Sequence, residues 1–385
     1  MLLQGLKVVE MSTWVAGPGC AAIMADWGAD VIKVESAAGD PVRGFYPDTA
    51  ESPGNPIFTL ENRGKRSVVL DSGSPEGRES LLALIESADI FVTNLRPGAL
   101  RRAGLDYEAV SARAPALIYA SISGVGLVGP DADLPAFDIT AFWTKSGMAW
   151  ATIPSDQEPF TCRPGFGDHA TALATLSGVL AALHERHATG RGRLVEASLL
   201  RTAAYAVGWD LSIQLRYGQV QPAQPRANRP SAISGYFRTA DDRWVCIVPR
   251  GPGCFPAMMK VIDRPDVLAD PRYALPMTDL ERVREVRAMA DDAMAKLTLA
   301  EAGELLTAVD LIWAPMSTLA EVAASEQAQA ADCFVEVQDG WGGSFASPAS
   351  PVRFPQGAPP LGGPAPKLGE HTDEVLGRGA AWPAP

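Results

Sequence analysis

Short apolar runs alternate with stretches of helical spacing from the first residues onward. "LKVVEM" (6–11) reads as a strand, the turn "VAGPGC" follows, "CAAIMADWG" (20–28) has helical spacing, and "DVIKVE" (30–35) reads as a second strand. Two strands about 24 residues apart with a helix between them make a right-handed crossover with parallel strands. The pattern repeats through "SVVLD", the helix "PEGRESLLALIESA", "DIFVTNL", the helix "GALRRAGLDYEAVSARA" and "LIYASISG". It predicts an α/β domain with a doubly wound, mostly parallel, Rossmann-like sheet.

Farther along, Ala172, Leu173, Leu176, Val179, Leu180 and Leu183 recur at helical intervals from Asp168 to about Arg186, and "HATGRG" ends that helix. "RLVEASLLRTAAYAVGWDLSIQLRYG" is a strand feeding another long helix, and the Pro- and Gln-rich "QVQPAQPRANRPS" is a linker. "GYFRTADDRWVCIVP" predicts a β-hairpin with an Ala-Asp-Asp turn, followed by helical segments around 254–308 and by "IWAPMSTLAEVAAS". The Gly- and Pro-bearing tail from about Gly340 to Lys367 suits an extended strap across a surface. These patterns divide the chain into a large α/β domain (1–200), a linker helix and Pro-rich linker (201–231), a small α+β domain (232–325) and a return segment packing on the large domain (326–385).

Charge and composition narrow the partners. A net charge of −12 with no basic stripe argues against nucleic acid. The 5 cysteines are scattered, with no C-x-x-C pair, so neither a disulfide framework nor a metal site is expected, and reduced thiols in a cytoplasmic protein fit better. The amino terminus lacks the basic and long apolar regions of a signal peptide, and no segment has the ~18 uninterrupted apolar residues of a membrane span.

Candidate chemistry sits at two turns. Gly17-Pro18-Gly19 lies where a strand meets a helix and Glu35 ends the next strand, but position 22 is Ala where a dinucleotide fingerprint needs its third glycine. A tight turn at the switch point of the sheet is the better reading, and no nicotinamide is expected. The second turn is "RPGFGDHATALATLSG" (163–178), in which glycines and a proline lead to Asp168 at the start of an apolar helical pattern. Asp168 is a favoured helix cap. A helix start also favours an ionised carboxylate, and a glycine-rich turn exposes backbone amides to a tetrahedral oxyanion. The two roles are compatible.

Beyond these features, the stretches "LKVVEMSTWVAGPGCAAIMADWGADVIKVESAAGDPVR", "ENRGKRSVVLD", "ADIFVTNLRPGALRRAGLDYEAV", "GDHATALATLSGVLAALHERHATGRG", "APMSTLAEVAAS" and "LGEHTDEVL" resemble, in order and spacing, the class III CoA-transferases. The resemblance implies that Asp168, with Gly167 before it, is a nucleophile passing through an acyl-aspartyl anhydride and an aspartyl-CoA thioester. It implies coenzyme A as a substrate, with an acyl-CoA donor, a carboxylic acid acceptor and no metal. Val15 and Ala16 would lie along the pantetheine arm. Asn94, Leu95, Arg96 and Arg102 would meet adenine and phosphates, with Leu70 nearby. "RGKR" (63–66) is by default an exposed turn and stays outside the site. An interlocked homodimer is also implied, its pocket lying between the large domain of one chain and the small domain of its mate.

Racemases of the same fold pair the aspartate with a histidine, because returning an α-proton requires two groups on opposite faces. Phe137 stands at that position here and cannot exchange a proton. His169, adjacent to Asp168 on a helix, points roughly 100° away. Asp138 falls where transferases carry an acidic residue and is a candidate supporting group, or else a buried cap or hydrogen-bond anchor. A racemase and a non-catalytic CoA-binding protein remain the alternatives. Formyl-CoA transferase has a glycine run where this chain reads "RANRPSAISGYF", and a glutamine in place of Val15, which speaks against an oxalate-specific site. Phe137, Phe142, Trp143 and Trp150 would lie close to the pocket, a modest preference for an apolar acyl group.

Overall fold

A computed structural model of the chain describes residues 2–46, 49, 51, 54–357 and 363–377. The chain forms two compact units, Met1–Ile153 with Pro159–Val220 and Gln329–Pro385, and Pro154–Glu158 with Gln221–Ala328.

The first unit is built on strands β1 (Lys7–Met11), β2 (Asp30–Glu35), β3 (Arg66–Val69), β4 (Ile90–Thr93), β5 (Ile118–Ser123) and β6 (Leu194–Ser198). They lie in the order β3-β2-β1-β4-β5-β6, every neighbouring pair parallel. The strands read as near-continuous apolar runs because both faces are covered. On one face Val8, Val31, Ile90 and Ile118 meet α1 (Ala16–Asp26) and α7 (Phe166–Thr189). On the other, Val9, Ile32, Phe91 and Tyr119 meet α3 (Pro75–Glu86), α4 (Pro97–Ala103) and α5 (Tyr107–Arg113). Adjacent residues of one strand, such as Val8 and Val9, therefore serve opposite cores.

Between β2 and β3 runs α2 (Pro56–Asn62), and between β5 and α7 lie a π-helical turn (Ile139–Lys145) and α6 (Met148–Thr152). The expected helix over 98–114 is two helices. Gly104 ends α4 in the left-handed region at φ 67°, and the Asp106 side chain restarts the backbone by accepting from the Ala109 N–H. The long helix after β6 likewise divides into α8 (Leu199–Ala206) and α9 (Gly208–Tyr217), where a glycine weakens continuity.

The tail differs from the expected strap. Phe334–Gln338 (β10) and Ser344–Pro348 (β11) pair as an antiparallel ribbon. The Asp339 side chain accepts from the Trp341 and Gly343 N–H groups across its turn, so the Gly-rich stretch closes a hairpin. Residues 358–362 of that strap, and 378–385 of the return segment, lie outside the described residues. Residues 369–372 run beside β3, with Thr372 Oγ1 accepting from Val69 N and His371 N donating to Ser67 O, and so cover an edge of the sheet.

In the second unit, β7 (Gly235–Arg238), β8 (Trp244–Val248) and β9 (Ile312–Pro315) form an antiparallel sheet in sequence order, and the predicted hairpin is the β7–β8 pair. Phe237, Val245, Ile247, Met258, Val286 and Leu306 make up the centre of its core.

Candidate active site

The sheet order reverses between β1 and β4, and the segments leaving the carboxyl ends of these two strands meet there, the usual ligand crevice of an open α/β sheet. Asn94, just past β4, clamps the segment after β1: its Oδ1 accepts from Thr13 N at 3.0 Å and its Nδ2 donates to Thr13 O at 2.7 Å. Val15 precedes α1, Ala16 begins it, and Leu95 and the exposed Arg96 follow Asn94. Arg102 is exposed on α4 and Leu70 is buried just past β3. Arg96 donates to the Asp133 carbonyl at 3.4 Å.

Beneath the Ser12–Gly19 segment lies a fully buried charge network. Glu10 accepts from Ser12 Oγ at 2.6 Å, Lys33 Nζ at 2.9 Å and Lys65 Nζ at 2.6 Å. Lys33 also reaches Ser12 O and the Asp40 carboxylate, and Lys65 donates to Pro18 O and Asn62 Oδ1. Burial alone pushes the Glu10 carboxyl up, but the two ammonium groups outweigh it and hold it down at about 2. The expectation that 63–66 is an exposed turn fails here. Arg63 and Lys65 are both buried, Arg63 against Asp26 with a 2.7 Å ion pair, because each finds a buried carboxylate partner distant in sequence.

The Gly-Pro-Gly turn has a packing explanation. A Cβ on Gly17 would lie 2.4 Å from Ser12 Oγ, and one on Gly19 would lie 2.7 Å from Glu61 Oε2. Both glycines let α1 start directly over polar side chains that must be held in place.

Asp168 lies in the first turn of α7. Gly165, in the left-handed region at φ 87°, caps that helix, and its N–H donates to Asp138 Oδ2 at 2.8 Å. The other Asp138 oxygen accepts from Ile139 N at 2.7 Å, so this buried carboxylate ties the π-helical turn to the start of α7. Gly167 lies on Phe142, where a Cβ would come within 2.4 Å of Cγ. Asp138 and Gly167 thus fix the place of Asp168, as anchor and close contact respectively.

The charge state of Asp168 departs from the expectation that a helix start keeps it readily ionised. Burial is the largest influence, and with the negative charges of Asp138 and Glu61 it pushes the carboxyl up to about 7, His169 alone opposing. His169 Nε2 and Glu61 Oε1 are 2.7 Å apart. That hydrogen bond is the main reason the His169 imidazole lies above the ordinary histidine range.

Aromatic residues sort into two groups. Phe142 and Trp143 are core. Phe137, 53% exposed, stands edge-on to Trp14 with centroids 5.2 Å apart, and Phe45 flanks Trp14 at 5.7 Å. Trp14 takes a left-handed backbone at φ 69°, its N–H donating to Asp40 Oδ1 at 3.2 Å. Trp150 is exposed on α6. Glu61, Glu10 and Lys33 support the candidate segments, through His169 and Ser12, and the sequence pattern does not reveal them. No spacing rule links Glu61 to a histidine 108 positions away.

Fold and crevice define an α/β protein with a candidate ligand crevice at the switch point of a parallel sheet. The particular family follows from comparison: the sequence profile of CoA-transferase family III matches residues 3–372, and the chain belongs to that family. It is 36% identical over 383 residues to the (R)-2-hydroxy-4-methylpentanoate CoA-transferase of Clostridioides difficile, covering 98% of this chain and 95% of that one. It is 33% identical over 389 residues to the cinnamoyl-CoA:phenyllactate CoA-transferase of Clostridium sporogenes, covering 97% and 92%. A crystal structure of a CaiB/BaiF family protein from Brucella suis superposes with a TM-score of 0.85 at 28% identity, covering 98% of each chain. The chain is accordingly a CoA-transferase, with coenzyme A as a substrate. Among the described residues no group of potential metal ligands is assembled and no helix is long and apolar enough to cross a membrane.

Proposed function

We propose that this enzyme moves CoA from an acyl-CoA donor to a carboxylic acid through covalent intermediates on Asp168. The Asp168 carboxylate attacks the donor thioester carbonyl; the carbon–sulfur bond breaks, CoA leaves as thiolate, and an acyl-aspartyl anhydride remains. The thiolate attacks the aspartyl carbonyl, releasing the donor acid as carboxylate and forming an aspartyl-CoA thioester. The acceptor carboxylate displaces CoA thiolate to give a second anhydride. Thiolate attack on the acceptor carbonyl then forms the new thioester and restores Asp168. Amides of the glycine-rich start of α7 serve the oxyanions.

The single observation that carries this reading is the way Asp138, Gly165 and Gly167 fix the first turn of α7 around a half-buried carboxylate. In the same reading CoA lies over the switch-point crevice. Val15 and Ala16 line the pantetheine arm, Asn94 holds that loop, and Leu70, Leu95, Arg96 and Arg102 meet the nucleotide end. Two copies interlock, as the family resemblance implies. The transferred acids are 2-hydroxy or aryl acids of apolar character. Support comes from the names of the relatives at 36% and 33% identity and from the exposed Phe137 edge beside Trp14 and Phe45.

The test is chemical trapping. Incubation with acyl-CoA followed by hydroxylamine or borohydride should modify the peptide containing Asp168, and the Asp168→Asn variant should neither be modified nor transfer CoA. An unmodified Asp168 peptide during turnover would overturn the reading. Exchange of the α-proton of a chiral acyl-CoA with deuterated solvent, without any acceptor, would identify a racemase instead. CoA binding with no transfer, unaffected by Asp168→Ala, would identify a binding protein.

A further inference from the structure

We propose that Glu61 and His169 act as a positioning pair for Asp168: Glu61 holds His169 fixed and protonated, and this cation offsets the negative charge crowded around the carboxylate. The inference rests on the reading of Asp168 as nucleophile. Its geometry is independent of that reading. Glu61, 2% exposed, bonds His169 Nε2 through Oε1 at 2.7 Å, and its Oε2 faces Gly19, where an added Cβ would come within 2.7 Å. Burial and this bond hold the carboxylate against His169. On the other side of the ring, a Cβ on Gly165 would lie 3.6 Å from His169 Cε1, so the cap glycine leaves that flank open.

The groups facing this cluster come from every neighbouring segment. Asp138 precedes the π-helical turn, Glu61 and then Lys65 come from α2 and the loop beyond it, and Cys162 lies in the loop leading to α7. Lys65 is committed to Glu10, Pro18 and Asn62. Asp138 spends its oxygens on Gly165 and Ile139. Among the described residues that act on Asp168, His169 is the cation that opposes its negative neighbours. Its Nε2 is held by Glu61, and its charge sets how much of Asp168 is ionised. The hydrogen bond to Glu61, which raises the His169 imidazole above its ordinary value, agrees with this role. Half of its side chain, 49%, remains exposed, so its substitution need not disturb the core.

The test has two readouts. In the pH profile of kcat/KM, His169→Gln should move the acid limb upward by about 1 pH unit or more, the effect expected when a nearby opposite charge is removed. His169→Lys, which keeps a cation, should restore the limb toward that of the unmodified enzyme. By proton NMR, the imidazole titration of His169 should fall in Glu61→Gln relative to the unmodified enzyme. Coincident acid limbs for the unmodified enzyme, His169→Gln and His169→Lys, with an unchanged His169 titration in Glu61→Gln, would overturn the inference. If trapping labels Asp168 and the limbs coincide, only this inference fails. If trapping leaves Asp168 unlabelled, the nucleophile reading fails, and the NMR titration still decides whether Glu61 holds the imidazole charged.

Discussion

Replacing Glu10 by Gln removes an anion that two buried lysines share. Lys33 keeps Asp40 at 3.0 Å, but Lys65 is left mainly with the neutral oxygens of Pro18 and Asn62. Two routes give the size of the effect. The Glu10 carboxyl is held at about 2 against an ordinary 4.5, which at about 1.4 kcal/mol per pH unit is worth about 3 kcal/mol at neutral pH. Breaking a buried pair by removing one partner costs about 3–5 kcal/mol, in agreement. A loss of about 3 kcal/mol lowers the melting temperature of a unit this large by roughly 5 °C, at an unfolding entropy of about 2 cal/mol/K per residue. The sign with pH follows from a depressed carboxyl: the stabilisation is present in full above about 4.5 and fades as pH falls toward about 2. Thermal and guanidinium unfolding of both proteins at neutral pH and at about pH 3 should therefore show a deficit that shrinks in acid. The double variant Glu10→Met/Lys65→Met, which removes both charges, should recover much of the loss. CoA affinity should weaken in the single variant, because the network holds Ser12 and Pro18 on either side of the Val15 loop. A neutral-pH deficit below about 1 kcal/mol, or one that does not change with pH, would refute the account of this network.

Gly167→Ala should cost about 1–3 kcal/mol by overpacking against Phe142 and reduce CoA transfer sharply while leaving CoA affinity near its original value, as separate melting, kinetic and binding measurements would show. Asp138→Asn removes a negative charge that raises Asp168, so the acid limb of kcat/KM should move downward from about 7; an upward shift would contradict the assigned influence. That variant should also be less stable by roughly 1–3 kcal/mol, because a single amide oxygen cannot accept from both Gly165 and Ile139 as the carboxylate does.

Much of the architecture was legible because parallel strands buried on both faces read as unbroken apolar runs, and helices covering them keep a visible period. The strand-and-helix alternation around Val8, Ile32 and Phe91 therefore appears in the sequence as it does in the sheet. The return hairpin was hidden by glycines that suit a turn as well as a strap, and the division at Gly104 by an apolar pattern that continues past it. Asp168 could be picked out because a carboxylate at a glycine-rich helix start is a local feature. The burial of Lys65 and Arg63, and the pairing of Glu61 with His169, are not local. A charged residue is ordinarily at the surface, and its partner across 37, 55 or 108 positions leaves no spacing signature. Burial also reversed the expected ease of ionising Asp168, since helix-start electrostatics are legible in sequence and desolvation is not.

The most direct test follows one oxygen atom. In the proposed cycle the acceptor acid leaves one of its carboxylate oxygens on Asp168 when thiolate cleaves the second anhydride. An acceptor labelled with heavy oxygen, turned over with unlabelled acyl-CoA, should place label on the Asp168 peptide and then in the released donor acid. Label confined to the new thioester, with none on Asp168 or the donor acid after many turnovers, would contradict the account.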